Sequence, residues 1–297
     1  MPAKSIALVT ARVARRLDED LAPLESALRS VGAEVTLTDW DDPDIDWSAF
    51  DLALLRSPWD YTKRLPEFLD WAEHVSTLTR LLNPLPVIRW NTDKHYLAAL
   101  IQAAIPTVPS HFVEPGEEGR AGLQRFFALH PHVAEFVVKP TVGAGSRDAQ
   151  RYPRADVEAA TAHAQRLLDS KRAVLLQPYL DRVDEDGETA LIYFNGQFSH
   201  AIRKGPLLRR GEGPTRALFA EEHITPRDPD PAELRVAAQT FGAIPFKKLL
   251  YARVDLIRDA MGEPCVLELE LTEPSLFFAR APESALRLAH LIVESLR

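Results

Sequence analysis

Cysteine is almost absent: Cys265 stands alone among 297 residues. One thiol cannot close an intramolecular disulfide, which excludes a small stapled scaffold and suits a reducing compartment. Its neighbours read as a buried strand, so it is expected to pack rather than react. Long hydrophobic runs are missing too. The first, residues 6–9, is far too short for a secretory core or a membrane span. Positive charge is in deficit: 35 Lys and Arg against 43 Asp and Glu leave a net charge of −8. That balance gives no footprint for nucleic acid or an anionic membrane, although a local cationic pocket would not show in it. Repeats and low-complexity tracts are absent, and the 23 prolines and 13 glycines are scattered. What remains is globular, with 46% hydrophobic and 26% charged residues and length for two or three substructures. A cytoplasmic protein is expected, with no nucleic-acid partner and no membrane partner. Its oligomeric state stays open between monomer and homo-oligomer.

Patterning organises the chain into three parts. Residues 6–9, 34–39 and 52–55 read as strands, and residues 18–31 and 66–79 as helices, with Gly32 closing the first helix. This alternation predicts a parallel α/β domain over residues 1–85. In such sheets ligands lie beyond the carboxyl ends of strands, where Arg56, Ser57 and Asp60 follow the third run. An arginine grips a planar polar group with two parallel hydrogen bonds, so these three are candidate substrate contacts. The competing reading is that Arg56 braces the turn by pairing with Asp60. Residues 86–180 form the second part: a helix over 92–104, a strand at 136–138, a helix over 156–168 and a strand at 173–176. The third part, 181–297, is mixed α+β. Asn195-Gly196 is a hairpin signal between two apolar runs. Strands over 251–257 and 266–271 pair through a turn at Met261-Gly262, and helices cover 232–241 and 283–296.

Two groups of residues suggest phosphate and metal chemistry. Lys139 ends an apolar strand just before Gly143, Gly145 and Ser146. Glycines let backbone N–H groups approach phosphate oxygens, and an ammonium neutralises their charge. Alone, such a loop is more often only a turn. Glu268 and Glu270 share one face of a strand, and Asp255 can face Glu268 across the hairpin. Carboxylates so close repel unless a divalent cation joins them, and oxygen ligands suit Mg²⁺. A salt-bridged, solvated strand face is the plainer alternative.

Taken in order, these residues resemble the ATP-grasp superfamily, in its glutathione synthetase-like branch, over nearly the whole chain. Asn91-Thr92-Asp93-Lys94, Ile105-Pro106-Thr107-Val108-Pro109, Val138-Lys139-Pro140 with the glycine loop, and Gln177-Pro178-Tyr179-Leu180 carry the resemblance. It implies an N-terminal parallel α/β domain followed by two α+β subdomains that sandwich ATP. It further implies that Lys94 and Lys139 bind phosphates, that Gln177, Tyr179 and Leu180 hold adenine, and that Glu188 lies near ribose or substrate. Asp255, Glu268 and Glu270 stand at the family's metal positions. Two departures matter. Glu270 replaces the usual asparagine, and Ala190 replaces an arginine, so Arg203 or Lys204 is expected to supply the missing charge. The stretches 55–61, 87–94, 199–206 and 268–278 are similar to the D-cycloserine synthetases, the O-ureido-serine cyclo-ligases. That resemblance implies ATP, Mg²⁺ and a small amino-acid substrate, O-ureido-D-serine, activated as an acyl phosphate and then cyclised. Two alternatives stay open: a ligase joining an amino acid to a separate amine, and a nucleotide-binding protein without turnover. Residues 207–220, with three arginines and two glycines, are expected to act as a lid.

Overall fold

The first apolar runs build a sheet whose strands are β1 (Ser5–Thr10), β2 (Glu34–Asp39), β3 (Leu52–Ser57) and β4 (Arg80–Leu82), with α1 (Leu21–Ser30) and α2 (Leu65–Leu78) between them. In this computed structural model, which describes residues 3–208, 211, 213 and 223–296, the order is β2-β1-β3-β4, all parallel. β1 and β3 are buried nearly throughout, as strands covered on both faces must be. The helix expected from residue 18 starts at Leu21, because Asp18 and Asp20 form a turn that points their carboxylates elsewhere. Gly32, at φ +86, ends it. An aromatic cluster of Trp40, Trp47, Tyr61, Phe68 and Trp71 covers one face of the sheet.

The helix expected over residues 92–104 is shorter, α4 (Tyr96–Gln102), and a separate helix, α3 (Leu85–Asn91), precedes it. The backbone between them is used for long-range contacts: Lys94 N donates to Thr141 O at 3.0 Å, and the Asn91 amide bonds Leu269 O and Leu271 N. Then come β5 (His111–Val113), α5 (Gly119–Leu129), β6 (Glu135–Pro140), β7 (Gln150–Pro153), α6 (Val157–Asp169) and β8 (Val174–Pro178). They form an antiparallel sheet of order β5-β8-β6-β7, whose core joins Phe126, Phe136, Leu167 and Leu176.

A third sheet is built from β9 (Glu188–Phe194), β10 (Gln197–Lys204), β11 (Ile224–Arg227), β12 (Tyr251–Arg258) and β13 (Pro264–Glu270). The short α7 (Val183–Asp186) precedes it, α8 (Pro231–Ala243) lies within it, and α9 (Glu283–Ser295) follows it. Its order is β11-β10-β9-β12-β13, all antiparallel. Asn195 and Gly196 turn the first hairpin with φ +48 and +76, the conformation such a two-residue turn requires. Most of the expected lid, residues 207–220, lies outside the described residues.

The last helix leaves its own sheet. α9 packs on α1, and one core joins Ile6, Leu8, Leu24 and Leu54 of the parallel unit to Ile192, Tyr251, Leu288 and Ile292. Polar contacts reinforce this junction. Asn83 Nδ2 donates to Tyr251 O and Leu271 O, and its Oδ1 accepts from Leu250 N. The Asp20 carboxylate accepts the backbone N–H groups of Leu276, Phe277 and Phe278 at 2.5, 3.1 and 2.9 Å. Removing that acceptor strands three donors, so Asp20→Ala should destabilise the protein by about 3 kcal/mol, seen as a lower urea midpoint. A midpoint unchanged from wild type would show that the loop after β13 does not depend on Asp20.

Candidate active site

One cavity opens between the second and third sheets, closed at one end by the first. The space between its walls, counting the open mouth, is about 1560 Å³. The second sheet supplies its basic side. Lys139 is the penultimate residue of β6, and the loop after it turns through Gly145 and Ser146, both left-handed at φ +60 and +57. Lys94 arrives from the break between α3 and α4, donating to Gly143 O at 2.9 Å and pairing with Glu268 at 3.0 Å. At the end of β8, Gln177, Pro178, Tyr179 and Leu180 line the same cavity. Gln177 is buried, its amide donating to Ser110 at 2.9 Å. The Arg151 guanidinium stacks on the Tyr179 ring, 3.5 Å from its centroid.

The third sheet supplies the acidic side. The β12–β13 register sets Asp255 opposite Glu268 and Arg253 opposite Glu270. A bulge at Leu267 interrupts this ladder, and residues 267–270 all reach the cavity wall. Glu188 opens β9 and Lys204 closes β10, cross-strand partners whose side chains bond each other. Gly187, at φ +72, makes this approach possible: a Cβ there would lie 2.5 Å from Lys204 O and 2.8 Å from the Arg203 guanidinium.

The charges answer one another. Burial opposes ionisation of Asp255, but Arg253 and Lys204 outweigh it and hold the carboxyl well below the usual range. Lys94 and Lys139 do the same for Glu268. Glu270 bonds Arg253, yet burial and the neighbouring carboxylates push it up to about 8. Burial likewise pushes Glu188 up to about 7 and Lys139 down to about 8.

Several sequence-based expectations need correction. Arg56 and Ser57 are fully buried and do not line the cavity. Arg56 donates to Pro274 O at 2.9 Å and lies 3.8 Å from Asp20, while Ser57 bonds Thr10 at 2.7 Å. Asp60 accepts from Trp40 and pairs with Arg64 at 2.8 Å each, so Arg64, not Arg56, braces that turn. The same segment does reach the cavity, through Trp59 and Tyr61. Arg203 is excluded by strand alternation: Lys204 faces the cavity, and Arg203 bonds the carbonyls of Glu185 and Asp186. Two cavity residues, Arg253 and Glu273, had no role in the sequence reading. The signal for Arg253 was available, since it precedes Asp255 by two on a strand and so shares its face.

The metal expectation also changes. Among the described residues no three acidic, histidine or cysteine side chains come together to hold an ion. Both oxygens of Asp255 accept bonds from Arg253, and one also from Lys204. Glu268 and Glu270 do line the cavity, and Mg²⁺ commonly takes only one or two carboxylates with phosphates and waters. The residues therefore fit an ion that arrives with phosphate, not one held by protein alone.

A basic glycine loop facing a carboxylate hairpin across a cavity, behind a parallel α/β unit, defines an ATP-grasp ligase. The ATP-grasp ligase PsnB, solved with a phosphomimetic precursor variant, Mg and ADP, shares this fold at 18% identity and a TM-score of 0.68, with each chain covered in full. Nearer relatives narrow the class. Residues 6–83 match the family described as the N-terminal domain of D-cycloserine synthetase DcsG. The cycloserine biosynthesis protein DcsG of Streptomyces lavendulae is 42% identical, over 98% of this chain and 99% of that one. A crystal structure of D-cycloserine synthetase DcsG superposes with a TM-score of 0.92 at 42% identity, covering 99% of this chain and 100% of its own. The chain belongs to the D-cycloserine synthetase family.

The low Lys139 value has a measurable consequence. The folded protein binds this proton less tightly than the unfolded chain, whose lysine titrates at the ordinary 10.5. Stability gained from this group should therefore rise with pH between about 8 and 10.5, and the rise should be smaller in Lys139→Met. At pH 7 the same variant should melt no lower than wild type, because a buried charge has been removed. A lower melting temperature would mean that Lys139 holds the fold.

Proposed function

We propose that the chain cyclises O-ureido-D-serine to D-cycloserine at the expense of ATP. The observation that carries this reading is the convergence on one cavity of Lys94, Lys139 and the glycine loop with Glu268, Glu270 and Arg253. The full-length likeness to the D-cycloserine synthetase points to the substrate. In this reading Lys94, Lys139 and residues 143–146 cradle the phosphates, and Gln177, Tyr179 and Leu180 take the adenine. Glu188 lies near the ribose or the reacting groups, tied to Lys204. Glu268 and Glu270 would hold Mg²⁺, which neutralises the charge on the phosphates. Arg253 and Lys204 stand where the transferred phosphoryl group develops charge. The work is mostly positioning and charge neutralisation.

The substrate carboxylate attacks the γ-phosphorus, giving an acyl phosphate and ADP. The ureido nitrogen bound to oxygen then attacks the acyl carbon, and phosphate leaves with a carboxylate oxygen. Water cleaves the ureido carbonyl from the ring nitrogen, releasing CO₂ and ammonia. One organic substrate suffices, so ADP release should require O-ureido-D-serine alone. A strict need for a second amine would favour intermolecular amide formation instead. Glu268→Gln should lower turnover by about 10²-fold or more, and Lys139→Ala should weaken ATP binding at least about tenfold by calorimetry. Unchanged Mg²⁺-dependent turnover in Glu268→Gln would overturn the metal assignment.

A further inference from the structure

Three carboxylates on the cavity wall each bond a protein cation: Glu188 to Lys204, Glu268 to Lys94 and Glu270 to Arg253. Glu273 differs. It is 9% exposed and lines the cavity, yet among the described residues no lysine, arginine or histidine lies within ion-pair distance of it. Its side-chain partner is the Tyr61 hydroxyl, which donates to Oε1 at 2.5 Å. A carboxylate shielded this far from water is costly without a positive partner.

The backbone around Glu273 is held as well. Trp59 Nε1 donates to its backbone oxygen at 3.2 Å. The Tyr251 hydroxyl holds Thr272 O at 2.9 Å, Arg56 holds Pro274 O, and Asp20 holds the backbone N–H groups of Leu276, Phe277 and Phe278. The loop is fixed on both sides of the residue by groups from the parallel domain and from β12. A fixed, partly shielded carboxylate with room in front of it is a seat for a cation that comes with the ligand.

Resting on the ligase reading above, we propose that Glu273 binds the α-ammonium of the amino-acid substrate and that Tyr61 positions it. The geometry of an α-amino acid supports this. Its ammonium and carboxylate sit on adjacent carbons, so one end fixes the other. Arg253 Nη1 bonds Ser275 O at 3.2 Å, two residues from Glu273, so a carboxylate at Arg253 sets the ammonium toward Glu273. Burial pushes the Glu273 carboxyl up to about 7, with Glu268 adding to the rise and Tyr61, Lys94 and Arg253 opposing it. A seated ammonium keeps it ionised.

The test compares Glu273→Gln with wild type on O-ureido-D-serine and on its deamino analogue, 3-(ureidooxy)propanoate. Glutamine keeps the volume and an acceptor for Tyr61 but removes the charge. KM for O-ureido-D-serine should rise about tenfold or more, while KM for ATP moves less than about twofold. Wild type should use the deamino analogue poorly, and Glu273→Gln should lose nothing further on it. Tyr61→Phe should show the same pattern in weaker form. An equal loss on both substrates, or a fall in kcat with KM unchanged, would overturn the inference. If wild type ignores O-ureido-D-serine but releases ADP with another α-amino acid, the proposed reaction falls, and the same comparison on that acid and its deamino form decides Glu273. ADP release as fast with deamino acids as with amino acids overturns the inference by itself. Release with no α-amino acid at all overturns both.

Discussion

The cavity depends on how one loop is held. After β13 the chain turns away from its sheet, and residues 272–278 carry Glu273, Ser275 and Phe277 to the cavity wall. No regular ladder supports this stretch. Its backbone donors go to Asp20 and its acceptors take bonds from Tyr251, Trp59 and Arg56. Three N–H groups on a buried carboxylate are charge-assisted bonds, stronger than the neutral bonds of a strand. The parallel domain thus shapes the far end of a cavity whose walls come from the other two sheets. It does so by gripping the backbone, leaving the side chains of the loop free to face inward.

The second constraint is charge. Strand alternation and the hairpin register bring Arg253, Asp255, Glu268 and Glu270 onto one small face, with Lys204 and Glu188 beside them. Lys94 and Lys139 meet this face from the opposite sheet. Burying so many ions is unfavourable unless each is paired and hydrogen-bonded. The site meets that condition by internal pairing, such as Asp255 with Arg253 and Lys204, and Glu268 with Lys94. A nucleotide, its metal and an amino acid would exchange these partners. Burial still raises Glu188, Glu270 and Glu273 and lowers Lys139, so at these groups desolvation outweighs the internal pairing. Cys265, by contrast, stays apart from this chemistry, buried with its thiol pushed up to about 12 and facing Ile257 O.

Much of this was legible from local pattern. The first three strands, the Asn195-Gly196 hairpin and the pairing of Asp255 with Glu268 follow from periodicity and turn chemistry between neighbours in sequence. Lys139 and its glycines follow from the same kind of signal. Short pieces such as β5 and β7 were not legible, because three or four residues carry no period. The break at residues 92–95 was hidden too, since its helical propensity yields to bonds made by Asn91 and Lys94 with distant carbonyls.

The sequence by itself determined the order of the elements, the faces of the long strands and the ATP-grasp class. Each of these rests on spacings within a single segment or on motifs in fixed order. The tertiary structure alone decided which residues of the 56–61 segment meet a ligand. Arg56 points into the junction with the loop after β13 and Ser57 bonds Thr10 of β1, while Trp59 and Tyr61 turn toward the cavity. It also chose Lys204 over Arg203 and, among the described residues, left Glu273 without a cation at ion-pair distance. Alternation along a strand says that two neighbours face opposite ways. Which way holds the ligand depends on what the rest of the chain, up to 256 and 258 positions distant for Asp20 and its loop, packs against each side.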